Sequence, residues 1–262
     1  MTLLNLAHMK SRFLLLILSV FVLFGCAKQY AQTTDENVDV VKIYNIVILD
    51  RSASMYPLRG AAVQGYNGIL EVVRNAQEQN ALVQQNYITL SFFNDSVTNV
   101  FDCDTVQSIP DLLLDDYRPQ GNTALWDAIG VSLDSLKIKL DSLENATAVV
   151  TIISDGLENA SKHYSIYAVA DRIDALKGQG VMFVFMGTNQ DVAQTAASLH
   201  IDNYRVFEYT AEGMKEAWQS GINASADYYE RMSQYNKDTK GMSKQERNDY
   251  YRDRNAEDGW FK

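Results

Sequence analysis

Residues Val47–Met55 read Val-Ile-Leu-Asp-Arg-Ser-Ala-Ser-Met: an apolar run that stops at Asp50, followed by two serines at alternate positions. Extended upstream, the run covers Ile43 to Leu49 without a charged residue. A continuous apolar strand of this kind is covered on both faces, as in parallel sheets packed between helices. In such sheets ligands sit at the carboxyl ends of the central strands, and Asp50 stands at one. Alternate spacing turns the side chains of Ser52 and Ser54 to one side of the loop that follows. What the acid and the two hydroxyls are for depends on the rest of the chain.

Downstream, apolar strands alternate with amphipathic helices. Gly60–Gln79 has helical spacing, Tyr87–Phe93 reads as a second strand, and Asn94-Asp95 as a turn into a hairpin partner, Val97–Phe101. Leu125, Ile129, Leu133, Leu136 and Leu140 form the apolar face of a helix over 123–140. Further strands are expected at Ala148–Ile153, Val181–Met186 and Tyr204–Tyr209. Helices are expected at Ser165–Leu176, closed by Gly178 and Gly180, at Gln190–Leu199, and from Glu212 onward. The fold class is therefore α/β: a Rossmann-like three-layer sandwich, its central sheet mostly parallel with one antiparallel edge strand, and helices on both faces.

With 262 residues, 47% hydrophobic and 21% charged, the chain has the balance of a globular protein. Its net charge of -10 and the lack of a Lys/Arg-dense block speak against a nucleic-acid partner, which requires clustered cations. At the N-terminus, Met9-Lys-Ser-Arg12 is basic, Phe13–Phe24 is apolar, and Gly25-Cys26 follows. That is the order of a secretory signal, and the run is short of the roughly 20 residues of a membrane span. Leu23-Phe-Gly-Cys26 is similar to a bacterial lipobox, which implies cleavage after residue 25 and acylation of Cys26. Phe24 is bulkier than that pattern usually carries. Membrane attachment is expected through this N-terminal lipid only, with the outer membrane slightly favoured. Cys103 then has no partner in the chain and is expected as a small, partly buried side chain at a strand end.

The resulting division is a signal peptide over 1–25, a lipidated tether over 26–41, a domain over 42–222, and a charged, Tyr-rich helical tail over 223–262. In the tail Ser243-Lys-Gln-Glu246 fits a capping box, so a helix through Arg254 is expected.

Three loops at strand ends carry the chemistry. They hold Asp50, Ser52 and Ser54; Thr123 within Gly121-Asn-Thr-Ala124; and Asp155 within Ser154-Asp-Gly156. The set offers carboxylates and hydroxyls, with no histidine, cysteine or lysine, which suits a hard divalent cation and disfavours zinc. A helix cap accounts for one such loop but not for three.

Asp-Arg-Ser-Ala-Ser54, the threonine of Gly-Asn-Thr-Ala124 and Ile-Ser-Asp-Gly156 together resemble the metal-ion-dependent adhesion site of von Willebrand factor type A domains, over about residues 42–222. Thr123-Ala-Leu-Trp-Asp-Ala-Ile129, Asp155-Gly-Leu-Glu-Asn159 and Gly187-Thr-Asn-Gln-Asp191 add to the likeness with bacterial members. The resemblance implies a metal ion, magnesium first and manganese or calcium as alternatives. Ser52 and Ser54 would bind it directly, Thr123 directly or through water, and Asp50 and Asp155 largely through water and hydrogen bonds. It further implies a vacant metal position that accepts a carboxylate from a partner protein, and no enzymatic activity.

Other chemistries fit less well. A magnesium-dependent phosphotransferase of the haloacid-dehalogenase type needs a second acid where Ser52 stands, and a lysine in a suitable loop. A serine hydrolase needs a Gly-x-Ser-x-Gly elbow with a histidine, and a dinucleotide site needs Gly-x-Gly-x-x-Gly after the first strand; none is present. The remaining alternative is an envelope scaffold with a structural metal, its contacts made by the tail or the helices.

Overall fold

A computed structural model describes residues 40–188 and 191–261. The signal peptide, Cys26 and almost all of the tether expected from the sequence lie outside the described residues. Strand β1 (Val41–Asp50) is buried along its whole length except at Lys42. Its side chains alternate between two cores: Ile43, Val47 and Leu49 face one, Tyr44, Ile46 and Ile48 the other. That two-sided burial is why β1 reads as a continuous apolar run.

The chain continues through α1 (Arg59–Asn80), β2 (Gln84–Phe93), β3 (Val97–Thr105), α2 (Leu125–Asp141), β4 (Ala146–Ser154) and α3 (Ile166–Lys177). It ends with β5 (Met182–Thr188), α4 (Asp191–Ser198), β6 (Tyr204–Phe207), α5 (Ala211–Asp238) and α6 (Lys244–Asp258). The six strands form one sheet in the order β3-β2-β1-β4-β5-β6, all neighbours parallel except β2 and β3. Helices α1 and α5 cover one face, α2, α3 and α4 the other. The expected three-layer sandwich with its antiparallel edge strand is the observed architecture.

Helices α1 and α5 approach closely because α1 presents glycines. A Cβ at Gly65 would collide with the Trp218 ring, and one at Gly68 with Ile222. Helix α5 then runs on without a break past residue 222, so the expected boundary between domain and tail falls inside one helix. The reason is length. Helix α1 has 22 residues, about 33 Å at 1.5 Å per residue, whereas residues 211–222 supply only about 18 Å of cover. The second half of α5 covers the rest, burying Tyr228, Tyr229, Met232 and Tyr235.

Polar contacts fix this half in register. The Tyr229 hydroxyl donates to Asn45 Oδ1 in the middle of β1. Ser233 Oγ donates to Asn80 Oδ1 at 2.6 Å, and Asn236 Nδ2 to Gln84 Oε1 at 3.3 Å. Helix α6 begins with the expected capping box, Ser243 N to Glu246 Oε2 at 2.9 Å and Glu246 N back to Ser243 Oγ at 3.4 Å. It brings Tyr251 and, beyond its end, Trp260 into the core under Tyr228.

A chain ending at Ile222 would lose Tyr228, Tyr229, Met232, Tyr251 and Trp260 from that core. Each is a side chain whose burial contributes about 1.5–3 kcal/mol, against a total stability of about 5–15 kcal/mol. The truncated chain is expected to show no cooperative melting transition by circular dichroism. A transition within a few degrees of the full chain's would mean that the tail is dispensable.

Candidate functional site

The sheet register builds the site. Leu49 pairs with Ile153 across β1 and β4, so the next residues, Asp50 and Ser154, stand side by side at the carboxyl edge. Ser154 Oγ donates to Asp50 Oδ2 at 2.5 Å, while Oδ1 accepts the Ser52 N–H at 2.7 Å. Asp50 is fully buried, and its carbonyl accepts the hydroxyl of buried Tyr117. Beyond it, Ser52 Oγ and Ser54 Oγ lie 3.0 Å apart, and Ser54 Oγ donates to Asp155 Oδ1 at 2.8 Å. A Cβ at Gly156 would stand 3.2 Å from Thr123 Oγ1 and 3.6 Å from Ser54 Oγ. The fold thus brings Asp50, Ser52, Ser54, Thr123 and Asp155 to one place, with Gly156 leaving a cradle that a larger residue would fill.

The two serines do not cap a helix. Ser52 precedes the 3-10 turn Ala53–Leu58 but makes no side-chain cap bond, and its hydroxyl faces Ser54 instead.

Backbone bonds tie the loops together. Arg51 N donates to Phe93 O at 2.6 Å, Gln120 N to Arg51 O at 2.8 Å, and Ala53 N to Gly121 O at 3.1 Å. Gly121 has φ +81°, and a Cβ there would strike the Asp95 carboxylate, which accepts from Asn122 N and Nδ2. Thr123 is held reciprocally: its N–H donates to Asn159 Oδ1 at 2.9 Å, and its carbonyl accepts Asn159 N at 3.0 Å. The free N–H groups at the start of α2 are satisfied from the third loop, Trp126 N by Glu158 Oε2 and Asp127 N by Ser161 Oγ, both at 3.0 Å. In return Asp127 accepts the N–H groups of Lys162, His163 and Tyr164. Desolvation works against its charge, but these three donors hold the carboxyl below the usual range.

Sequence reading did not single out Asn94, Asp95 and Tyr117 as site residues. The first two looked like an ordinary turn, and Tyr117 sits in a stretch without periodicity. Just after the first loop, Met55 is fully buried and Arg59 is tied through Nε to the Leu114 and Tyr117 carbonyls. Tyr56 is 66% exposed, and Tyr209, at the start of α5, reaches back to donate to the Ser54 carbonyl. Trp126 is half-buried, His163 is exposed, and Cys103 is a partly buried free thiol in edge strand β3.

Burial, offset in part by the bonds from Ser154 and Ser52 and aided by the charge of Asp155, pushes the Asp50 carboxyl up to about 6. Burial raises Asp155 as well, and its Oδ2 is buried with no hydrogen-bond partner. Two neighbouring buried acids, one with an orphaned oxygen, call for a positive charge. The donors suit a small hard cation. Among the described residues there is no group of three or more His, Cys, Asp or Glu side chains that could hold a metal ion; the cluster has two carboxylates, and its other donors are hydroxyls.

No family model and no curated protein sequence matches the chain. Solved structures do. The open conformation of the pilus adhesin SpaC from Lactobacillus rhamnosus GG aligns with a TM-score of 0.55 at 12% identity, over 74% of this chain and 31% of that one. The D319A mutant of the PilB minor pilin from Streptococcus sanguinis gives 0.50 at 9% identity, over 73% and 63%. A von Willebrand factor type A protein from Catenulispora acidiphila gives 0.49 at 13% identity, over 71% and 43%. This chain spans less than two thirds of each of these proteins. At such identities the likeness is one of fold.

A buried carboxyl raised to about 6 favours the folded state below its unfolded value of 3.8, and that contribution is lost as pH rises through about 6. The ionised group then costs about 3 kcal/mol at neutral pH. In chelator, Asp50→Asn is expected to gain stability on the parent chain between about pH 4 and pH 7, by up to that amount, in urea unfolding. Parallel pH profiles would contradict the assignment.

Proposed function

We propose that the chain is a divalent-cation-dependent protein-binding module of the von Willebrand factor type A kind, held at the bacterial cell envelope by a lipid on Cys26. The observation that carries this reading is the buried all-oxygen cluster with its orphaned Asp155 Oδ2. Ser52 and Ser54 would hold the ion directly. Both oxygens of Asp50 are already engaged, by Ser52 N and Ser154 Oγ, which supports a role in orienting the loop and contacting the ion through water. Thr123, fixed by Asn159, would complete the set with Asp155. The all-oxygen donor set with two carboxylates fits magnesium, with manganese or calcium as alternatives. When bound, the cation supplies an open coordination position for a carboxylate from a partner protein.

The pilus adhesin and minor pilin among the structural neighbours support an adhesive role outside the cytoplasm. No helix of the described residues is long and apolar enough to cross a membrane, and the lipid would provide the attachment. The scaffold reading has less support, because the tail's large aromatic residues serve the domain's own core. Phosphotransfer is disfavoured by Ser52, which stands where that reaction needs its second acid.

Magnesium at one hundred times its dissociation constant should stabilise the full chain by about 2.7 kcal/mol, and Ser52→Ala with Ser54→Ala should abolish that stabilisation while leaving the circular dichroism spectrum unchanged. An undiminished magnesium response in the double variant would remove the site assignment. Capture from envelope extract should retain a protein in magnesium, but not in chelator or with the double variant. Retention under all three conditions would favour the scaffold.

A further inference from the structure

The third loop has two sides. One faces the metal cluster; the other, with the start of α2, β5 and α4, encloses a cavity of about 250 Å³. Asp155 and Gly156 belong to both, so the cavity begins where the metal site ends. Its wall is largely apolar, with Leu125, Trp126, Phe185 and Val192, and Leu157 at its mouth is 62% exposed. Besides Asp155, the charged side chain in the wall among the described residues is Glu158. Its carboxylate is taken by Ala160 N, Ser161 N and Oγ, and Trp126 N. Apart from Asp155, which the metal-mediated reading assigns to the cation, the wall therefore offers no free charge to a cationic side chain. A cavity of about 150 Å³ accepts a benzene molecule, so this one has room for an aromatic ring or a branched aliphatic group.

We propose that the partner presents a bulky apolar side chain, phenylalanine, leucine or methionine, within two residues of the acid that meets the metal, and that this side chain enters the cavity behind Leu157. The inference rests on the metal-mediated reading above and specifies the partner's chemistry. The acid supplies charge complementarity to the cation. The neighbouring side chain covers Leu157 and fills the space between Trp126 and Val192. Two residues of extended chain cover about 7 Å, and the cluster and the cavity are adjacent, since Asp155 and Gly156 border both.

The test is an immobilised pentapeptide library with aspartate fixed at the centre and the other four positions varied, probed with the full chain in detergent. In magnesium, phenylalanine, leucine or methionine should be enriched at least tenfold within two positions of the aspartate. The preference should vanish in chelator. It should also vanish in Leu157→Glu, which puts a charge at the mouth, and in Thr195→Trp, which fills the cavity from the half-buried outer face of α4. Circular dichroism shows that each variant is folded. Magnesium-dependent retention of aspartate peptides without selection at the flanking positions would overturn this inference and leave the proposed function standing. An apolar preference undiminished in both folded variants would also overturn it, by placing the contact elsewhere, such as at Tyr56 and Tyr209. Failure to retain any peptide in magnesium, while the metal still binds, would overturn metal-mediated recognition and this inference with it.

Discussion

The contact on which the site depends is the hydrogen bond from Ser154 to Asp50, between two strand ends that share a register. It pins a fully buried carboxylate at the point where the sheet gives way to loops. From there the N–H of Ser52 turns the chain back over the acid, and the Ser52 hydroxyl meets that of Ser54, which donates to Asp155. Two acids are thus brought together with little water and too few donors, a costly arrangement unless a cation joins them.

Holding such a site in shape needs loops that behave as rigid elements. Here the carbonyls and N–H groups of the first, second and third loops bond to each other and to the sheet edge. Glu158 and Ser161 do the capping that the first residues of α2 lack, and Asp127 returns the service to the segment at Lys162–Tyr164. A displaced third loop would therefore also uncap α2, which couples the oxygen cluster to the helix layer behind it.

Helix α5 couples to the other layer. Its entry residue Tyr209 bonds the backbone of the loop after β1, while its far half is bonded to Asn80 at the end of α1, to Gln84 at the start of β2 and to Asn45 in the middle of β1. The first part of the segment that reads as a charged tail is thus the outer half of a helix required to cover α1, and the rest carries α6. Charges on its exposed side and tyrosines on its buried side give a composition that resembles an appendage when the two sides are not separated.

The sequence by itself determined the order of strands and helices, because two-sided burial leaves continuous apolar runs and one-sided burial leaves helical stripes. Asp50, Ser52, Ser54, Thr123 and Asp155 were legible as candidates because donors of one chemical class recur at strand ends, even though nothing in their spacing shows that they meet. Tertiary structure decided that they do, through the pairing of β1 with β4 and the cross-loop bonds, which join residues about 100 positions apart. It also decided the roles of Tyr117, Asp95 and Asn94, whose partners are distant in sequence and whose local pattern is that of an ordinary loop. The extent of the domain was decided the same way. How far α5 must run depends on the length of the helix it covers, and that complementarity exists only once both are packed on the same sheet.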